Sequence, residues 1–166
     1  MDIRSRFVSF LLVFFKKEII IIIISALPVF ELRLAFPLAV FKFDFSFSKA
    51  YILSILGNIL PVFPLLIFFK HFFHSLENKK FIGKFFKWWF NNVKRRSKII
   101  EKWGFWGLVM FVSIPLPITG AWTGTVAASL FDFSVKKAFI AIILGVLLAG
   151  VWVAFASIGV VKLWLL

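Results

Sequence analysis

Long apolar blocks, separated by short charged stretches, dominate the chain. The four longest run from Ile19 to Phe41, Ala50 to Phe69, Phe105 to Phe131 and Ala138 to Val161. A helix needs about 20 apolar residues to cross a bilayer, and each block reaches that length. The blocks lack the period of 3.6 or 2 that buries one face of a soluble element and wets the other. The pattern predicts an all-α integral membrane protein with a single membrane domain over residues 1–166.

Two of these blocks carry helix-breaking residues near their middle. The breakers are Pro28 and Pro37 in the first block and Pro115, Pro117, Gly120 and Gly124 in the third. An interrupted backbone at membrane depth is tolerated only where protein or water supplies hydrogen-bond partners. We therefore expect both blocks to form re-entrant hairpins, packed inside the domain. A bundle of four kinked spans is the alternative.

The chain also contains an internal repeat at an offset of 88 residues. Residues 43–60 and 131–148 align without gaps and are identical at eleven of eighteen positions. Repeat 1 covers about 19–69 and repeat 2 about 105–162, each an interrupted hairpin followed by a spanning helix. Because each copy adds an odd number of crossings, we expect two inverted repeats whose hairpins enter from opposite faces and meet near the midplane.

Short polar side chains stand between the hairpin and the spanning helix of each repeat. They are Asp44 and Ser46 in the first copy and Asp132 and Ser134 in the second. Such side chains accept hydrogen bonds from the first free N–H groups of a helix. We expect all four residues to be helix caps.

Positive charge is concentrated between the repeats. The chain has 20 Lys and Arg against 7 Asp and Glu, a net charge of +13, and half of the cations fall within 70–102. The excess of lysine and arginine predicts a cytoplasmic loop that meets anionic lipid headgroups. Aromatic residues from Phe81 to Trp89 recur at helical spacing opposite lysines. The linker, about 70–104, is therefore expected to form a basic amphipathic helix at the membrane surface and not to bind nucleic acid.

Glu31 and Arg33 lie deep in the first block. An ionised side chain at that depth is costly unless it is paired or hydrated. Residues two apart do not face each other on a regular helix, but an extended turn between Pro28 and Pro37 would bring them together. In one interpretation Arg33 binds an anionic head group and Glu31 carries a coupling proton. In the other, the ion pair only holds the hairpin.

The break in the third block offers prolines, glycines, hydroxyls and an indole. The substrate-binding residues predicted beside Glu31 and Arg33 are Asn58, Pro115, Pro117, Thr119, Gly120, Trp122, Thr123 and Gly124. The two threonines either satisfy backbone groups freed by the break or contact the substrate. Asn58 stands just before Pro61, where we expect a kink, and its amide is a candidate partner for carbonyls that lose their donors there.

Catalytic and metal-binding motifs are missing from the sequence. It has no cysteine, no His-Glu-x-x-His, no Gly-x-Ser-x-Gly and no deep pair of carboxylates. His71 and His74 have only Glu77 beside them and are interpreted as interfacial residues, not metal ligands. We expect no catalysis, no bound metal and no cofactor.

Three stretches of the chain resemble the putative small multidrug export protein family of prokaryotes. They are Glu31-Leu32-Arg33 ahead of Pro37, Gly-Asn-Ile-Leu-Pro-Val from Gly57 to Val62, and Phe-Val-Ser-Ile-Pro-Leu-Pro-Ile-Thr-Gly-Ala-Trp-Thr-Gly from Phe111 to Gly124. The paired interrupted segments look, more loosely, like the DedA/VTT superfamily, whose re-entrant hairpins serve lipid scrambling or polyprenyl-phosphate translocation. The second hairpin lacks an arginine to match Arg33.

These features indicate a transporter or flippase, in the plasma membrane of a prokaryote, for an amphipathic and anionic lipid-like substrate. One alternative is a small cationic drug exporter, with Glu31 as the counter-charge and Trp122 as an aromatic wall. Another is a membrane-organising protein that acts through its basic helix and transports nothing. Anionic membrane lipids are the expected partners, and a chain this small is a candidate homodimer.

Overall fold

The computed structural model describes residues 15–77, 88, 91–95, 97–114 and 119–164, and all regular structure within them is helical. The longer helices are α1 (Lys17–Ala26), α2 (Glu31–Phe41), α3 (Phe47–Ile59), α4 (Val62–Glu77), α5 (Lys98–Ser113), α6 (Ala121–Leu130) and α7 (Val135–Trp164). The predicted all-α class is confirmed. The N-terminal stretch and most of the predicted amphipathic linker lie outside the described residues.

Two helical segments of the described chain are long and apolar enough to cross a membrane. They are Phe47–His71, which joins α3 and α4 across a turn at Leu60 and Pro61, and Val135–Gly159 within α7. The other two apolar blocks are each divided into two short helices. The sequence predicts breaks in both places, and the structure has them.

The turn in the first block is tighter than the sequence predicts. We expected an extended turn from Pro28 to Pro37, but the turn ends at Phe30, and α2 runs from Glu31 through Pro37. Proline fixes a φ angle that a helix accepts and removes one N–H donor, so it does not by itself stop a helix that is held by tertiary packing. The prediction of an extended segment was therefore wrong over Glu31 to Pro37.

Helix boundaries repeat at the offset of 88 residues that the sequence shows. The two long helical segments begin at equivalent residues, Phe47 and Val135. Asp44 and Asp132 both have positive φ angles, 56° and 52°. The left-handed conformation ends a helix, and aspartate adopts it more readily than most residues. The duplication in sequence thus extends to the local backbone.

Hydrogen bonds at these positions show how the preceding helix ends. The N–H of Phe133 donates to the carbonyl of Ala128, and the N–H of Asp132 donates to that of Ser129, which is the pattern of a Schellman turn. For the predicted caps, the N–H of Lys49 donates to Ser46 Oγ at 3.4 Å. Side-chain capping by the other three residues stays a prediction.

The backbone forms two compact units. The first contains the described residues up to Asn58 together with those from Val153 onward, and the second runs from Ile59 to Trp152. Each unit therefore contains one hairpin and the start of the long helix that follows it.

In the first unit, α1 and α2 form a helical hairpin that returns to its starting end. Lys17 at the start of α1 lies 5.7 Å from the ring centroid of Phe43, which follows α2. Lys49 Nζ, in the first turn of α3, contacts Glu18 Oε1 at 2.6 Å. This contact holds the pKa of the Glu18 carboxyl below its ordinary value of 4.5, chiefly through the hydrogen bond from Lys49. The N-terminal ends of α1 and α3 are therefore held side by side by this ion pair.

Farther along, α1 packs closely on α3 around a glycine. A side chain on Gly57 would collide with the backbone of Ile22 and come within 2.8 Å of the Ser25 Cβ. The hydroxyl of Ser25 donates to the carbonyl of Ser54 at 2.5 Å. Small residues that let helix backbones approach are typical of helix packing inside membranes.

The second unit repeats this arrangement with its own glycines. A side chain on Gly145 in α7 would lie 2.6 Å from Val112 Cβ and 2.9 Å from the carbonyl oxygen of Val109, both in α5. One on Gly124 in α6 would lie 2.6 Å from a methyl of Val112. Val112 is thus packed between both helices, and α4 also packs against α6.

Helix α5 consists of two pieces joined at Gly104, which has φ 51° and ψ −120°. The reversal brings the backbone of Ile99 and Ile100 against Gly107 so closely that a side chain there would collide with it. The piece after Gly104 therefore forms the first arm of the second hairpin and is one residue shorter than α1.

Substitution of Gly57 or Gly145 by alanine tests this packing. The added methyl group overlaps backbone or β-carbon atoms, so we expect a loss of about 1–3 kcal/mol in unfolding free energy. Gly159→Ala is the matched control, because nothing lies within 4 Å of its Cβ position; it should be neutral or gain up to about 1 kcal/mol. Thermal unfolding in detergent measures all three. Equal melting temperatures would contradict the proposed close approach.

The Glu18–Lys49 pair predicts a pH dependence. Because the folded pKa of Glu18 is lowered, its contribution to stability is present above pH 4.5 and is lost as the pH falls through the folded pKa. Glu18→Gln should therefore flatten the melting temperature profile on the acid side, and Lys49→Gln should do the same. A profile for Glu18→Gln that matches the wild type would show that the pair contributes nothing.

Candidate substrate site at the two helix breaks

Glu31 and Arg33 lie together where the first hairpin resumes its helix. Arg33 Nη2 is 3.9 Å from Glu31 Oε2. At that separation the charges attract, but these two atoms lie beyond hydrogen-bond distance. The side chain of Arg33 is 31% exposed and that of Glu31 only 10%. The pair thus presents an accessible guanidinium beside a buried carboxylate.

The backbone of Glu31 explains how residues two apart can pair. Its φ angle is 47°, in the left-handed region, and its N–H donates to the carbonyl of Leu27 at 2.9 Å. A glutamate in this conformation is uncommon and carries strain. It turns the side chain away from the direction of a regular helix, where residues i and i+2 point to different faces. The predicted pairing is present, and its cause is a single residue, not an extended turn.

In the second hairpin, hydroxyls supply partners for carbonyls at the break. Thr119 Oγ1 donates to the carbonyl of Ile114, just past α5, at 2.7 Å. Thr123 Oγ1 donates to the carbonyl of Gly120 at 3.3 Å. Both threonines are buried. The carbonyl of Gly120 also accepts from the N–H of Gly124 at 2.8 Å, so the backbone-satisfying arrangement, one of the two interpretations of these residues, holds for Thr119.

Gly120 takes a conformation that is nearly restricted to glycine. Its φ is 151° and its ψ is −166°, a region that a side chain on Cα would make strained. Helix α6 begins at the next residue and carries Trp122, half-buried, and Gly124, buried against α5. Pro115 and Pro117, also predicted for this site, lie outside the described residues.

The two breaks are equivalent in the repeat but differ in charge. At the offset of 88 residues, Glu31 corresponds to Thr119 and Arg33 to Ala121. Both Glu31 and Thr119 are buried polar residues at the resumption of the helix. Among the described residues, the ion pair of the first break therefore has no counterpart at the second.

Asn58 lies apart from these groups in sequence and is buried within α3. Its side-chain oxygen has no hydrogen-bond partner in the structure, and neither has the hydroxyl of Ser54, one turn earlier. Sequence reasoning selected Asn58 and missed Ser54. The available signal was the spacing of four residues, together with the apolar Ile142 and Val146 at the equivalent positions of the second repeat.

Around the described parts of the linker, aromatic side chains face outward beside cations. Trp88, Trp103 and Trp106 are exposed, and Lys102 Nζ lies 5.7 Å from the ring centroid of Trp103. Tryptophan and lysine at the same level are typical of a membrane interface.

His71, interpreted as an interfacial residue, lies near a backbone carbonyl. Its Nδ1 is 2.9 Å from the carbonyl oxygen of Ile67, and among the described residues His71 has no hydrogen bond to a carboxylate. The described residues include no group of three or more His, Cys, Asp or Glu that could hold a metal ion.

Comparison with known proteins gives one match. The model of the family described as "Putative small multi-drug export protein" matches residues 31–152, well over half of the chain. No curated protein and no solved structure matches significantly. The matched region begins at Glu31, includes the whole of the first candidate span and most of the second, and contains all the predicted substrate-binding residues. The relationship to the DedA/VTT superfamily stays a prediction. On this match, and with apolar helices that fit a membrane protein, the chain belongs to the small multi-drug export protein family.

Proposed function

We propose that this protein is a transporter that moves an amphipathic, anionic, lipid-like substrate across the membrane past its two helix breaks. The observation that carries the proposal is the Glu31–Arg33 pair, set in a break inside an apolar hairpin. An ion pair is a costly means of fixing a turn, because the free energy needed to remove the two charges from water offsets most of the attraction between them. Its presence there favours a role in binding.

Arg33 is the group proposed to bind the substrate. A planar guanidinium with several donors matches the oxygens of a phosphate or carboxylate. Its side chain is the more accessible of the pair, and its contact with Glu31 is long at 3.9 Å. An anionic head group can therefore approach the exposed part of the Arg33 side chain.

Glu31 is proposed to couple substrate binding to a proton. Its side chain is nearly buried and lies beside the Arg33 guanidinium to which the substrate would bind. An incoming anion adds a second negative charge next to the carboxylate, which favours its protonated form. Uptake of a proton at Glu31 and capture of an anion at Arg33 would thus occur together.

The hairpins are proposed to be re-entrant, and the repeats inverted. Helix α1 has 10 residues, or about 15 Å, half of the roughly 30 Å hydrocarbon thickness. The contact between Lys17, at the start of α1, and Phe43, just past α2, supports a hairpin that enters and leaves on one face. One crossing then follows before the next hairpin begins, so the second copy would enter from the opposite face.

The second break is proposed to supply neutral contacts. Trp122 offers an amphipathic indole that is half-buried, while the threonine hydroxyls bond to carbonyls nearby and Gly124 lets α6 pack on α5. Trp122 can contact the uncharged part of a substrate. The exposed tryptophans and the lysines of the linker are proposed to lie at a cytoplasmic surface rich in anionic lipid.

Export of small cationic compounds is the second candidate, favoured by the description of the matching family. In this version Glu31 is the counter-charge for the substrate and Trp122 contributes a cation–π contact. The two candidate functions differ in the residue that binds the substrate: Arg33 for an anionic lipid and Glu31 for a cationic compound.

Reconstituted liposomes test both. Wild type, Arg33→Gln and Glu31→Gln would be assayed for translocation of a fluorescent polyprenyl phosphate or phospholipid and, separately, of a cationic dye. For the anionic substrate, we expect Arg33→Gln to reduce the rate at least tenfold, since it removes a charge-assisted contact worth about 1.5–3 kcal/mol. Lys42→Gln, an exposed cation just past the same helix, is the matched control and should be unaffected.

Other outcomes separate the alternatives. Dye transport that depends on Glu31 and is spared by Arg33→Gln would replace the anionic substrate with a cationic one. Wild-type rates for both substrates in both variants would refute a transport role for the pair. If neither substrate moves, and deletion of residues 81–92 abolishes the function of the protein in cells, the membrane-organising alternative is favoured.

A further inference from the structure

Two buried oxygen atoms on α3 have no hydrogen-bond partner. Ser54 is fully buried and Asn58 is 4% exposed, yet neither the hydroxyl of Ser54 nor the side-chain oxygen of Asn58 makes a hydrogen bond. They stand four residues apart, so they lie on one face of the helix in successive turns. Buried polar atoms in native proteins nearly always have a partner, and an unbonded one calls for a water molecule or an ion.

The neighbourhood of these oxygens is electronegative. Ser25, the second-last residue of α1, contacts Gly57 and donates to the carbonyl of Ser54. The carbonyl end of α1 therefore lies beside this part of α3, and a helix carboxyl end carries a partial negative charge. Pro61 has no N–H to donate to the carbonyl of Gly57. Carbonyl oxygens thus accumulate at this point, and the side-chain donors beside them are the hydroxyl of Ser54 and the NH2 group of Asn58.

The second repeat shows that packing does not require polar atoms here. Ile142 and Val146 occupy the positions equivalent to Ser54 and Asn58, and both are buried. The neighbouring glycine is the same in both copies, and in each it packs against the first arm of its hairpin. The fold therefore accepts aliphatic side chains at these positions, and the polar pair in the first repeat serves another purpose.

We propose that Ser54, Asn58 and the adjacent backbone carbonyls of the first unit form a binding site for a small monovalent cation, of the size and hardness of Na⁺. Neutral oxygens from side chains and interrupted helices are the ligands that such ions take in membrane transporters. Divalent ions are held by carboxylates, and none is among these ligands. An anion would meet the negative end of α1 and backbone carbonyls, with only the hydroxyl of Ser54 and the NH2 group of Asn58 as donors.

The site goes beyond the substrate function proposed above and does not depend on it. It uses none of the charge of Glu31 or Arg33, and ion binding can be measured in the absence of any transport. A failed transport assay with intact Na⁺ binding would count against the substrate, and the reverse result would count against the cation site.

Equilibrium binding of radioactive Na⁺ to the purified full chain is the test, at constant ionic strength with choline chloride. Wild type should bind Na⁺ saturably and show a melting temperature that rises with Na⁺ and not with choline. Asn58→Val reproduces the side chain of the second repeat, and Ser54→Ala removes only a hydroxyl. Each should weaken Na⁺ binding at least tenfold without lowering the melting temperature measured in choline.

Ser129→Ala is the matched control, since that hydroxyl already donates to the carbonyl of Thr125 and lies in the second unit. Its Na⁺ affinity should equal that of the wild type. The proposal is overturned if wild type binds no Na⁺, which would leave a buried water as the occupant, or if Asn58→Val and Ser54→Ala bind Na⁺ as tightly as wild type.

Discussion

A backbone that reverses inside an apolar medium must find partners for its own N–H and carbonyl groups, and the described structure is organised around that requirement. In the first hairpin the turn closes with main-chain bonds, as the N–H groups of Phe30 and Glu31 both donate to the carbonyl of Leu27. In the second, Thr119 and Thr123 donate to carbonyls on either side of the break. The first hairpin thus satisfies its turn with main-chain groups and the second uses threonine side chains. The side chains at the first turn are therefore available to carry charges.

Each hairpin also depends on a glycine in the helix that follows it. Gly57 and Gly145 permit a separation at which a methyl group would overlap the neighbouring arm. Dispersion between closely packed atoms is the main attraction available to helices in lipid, because lipid tails are as apolar as the side chains. Within the first unit, the hairpin and α3 as far as Asn58 are therefore expected to behave as one closely packed element, which carries the ion pair of Glu31 and Arg33.

Much of this arrangement could be predicted from the sequence, because the residue types alone give the length of each apolar block and the positions of the helix-breaking prolines and glycines. The four blocks, the interruptions in two of them and the duplication at 88 residues follow from such features. The conformation of single residues does not. The pairing of Glu31 with Arg33 arises from one left-handed φ angle, and the kink at Gly104, between the charged linker and the third apolar block, arises from another backbone conformation that residue types alone do not fix. Ser54 was missed because a serine among apolar residues commonly bonds within its own helix.

The shortness of the hairpin arms has a consequence for how the chain enters the bilayer. Insertion into a membrane selects segments of about 20 apolar residues, and α1, at 10 residues, is half of that. In the re-entrant arrangement proposed above, such an arm would gain its close packing only once α3 offers the surface around Gly57. The hairpin of the first repeat therefore precedes its long helix in synthesis but should follow it in assembly, so the order of maturation is the reverse of the order of translation.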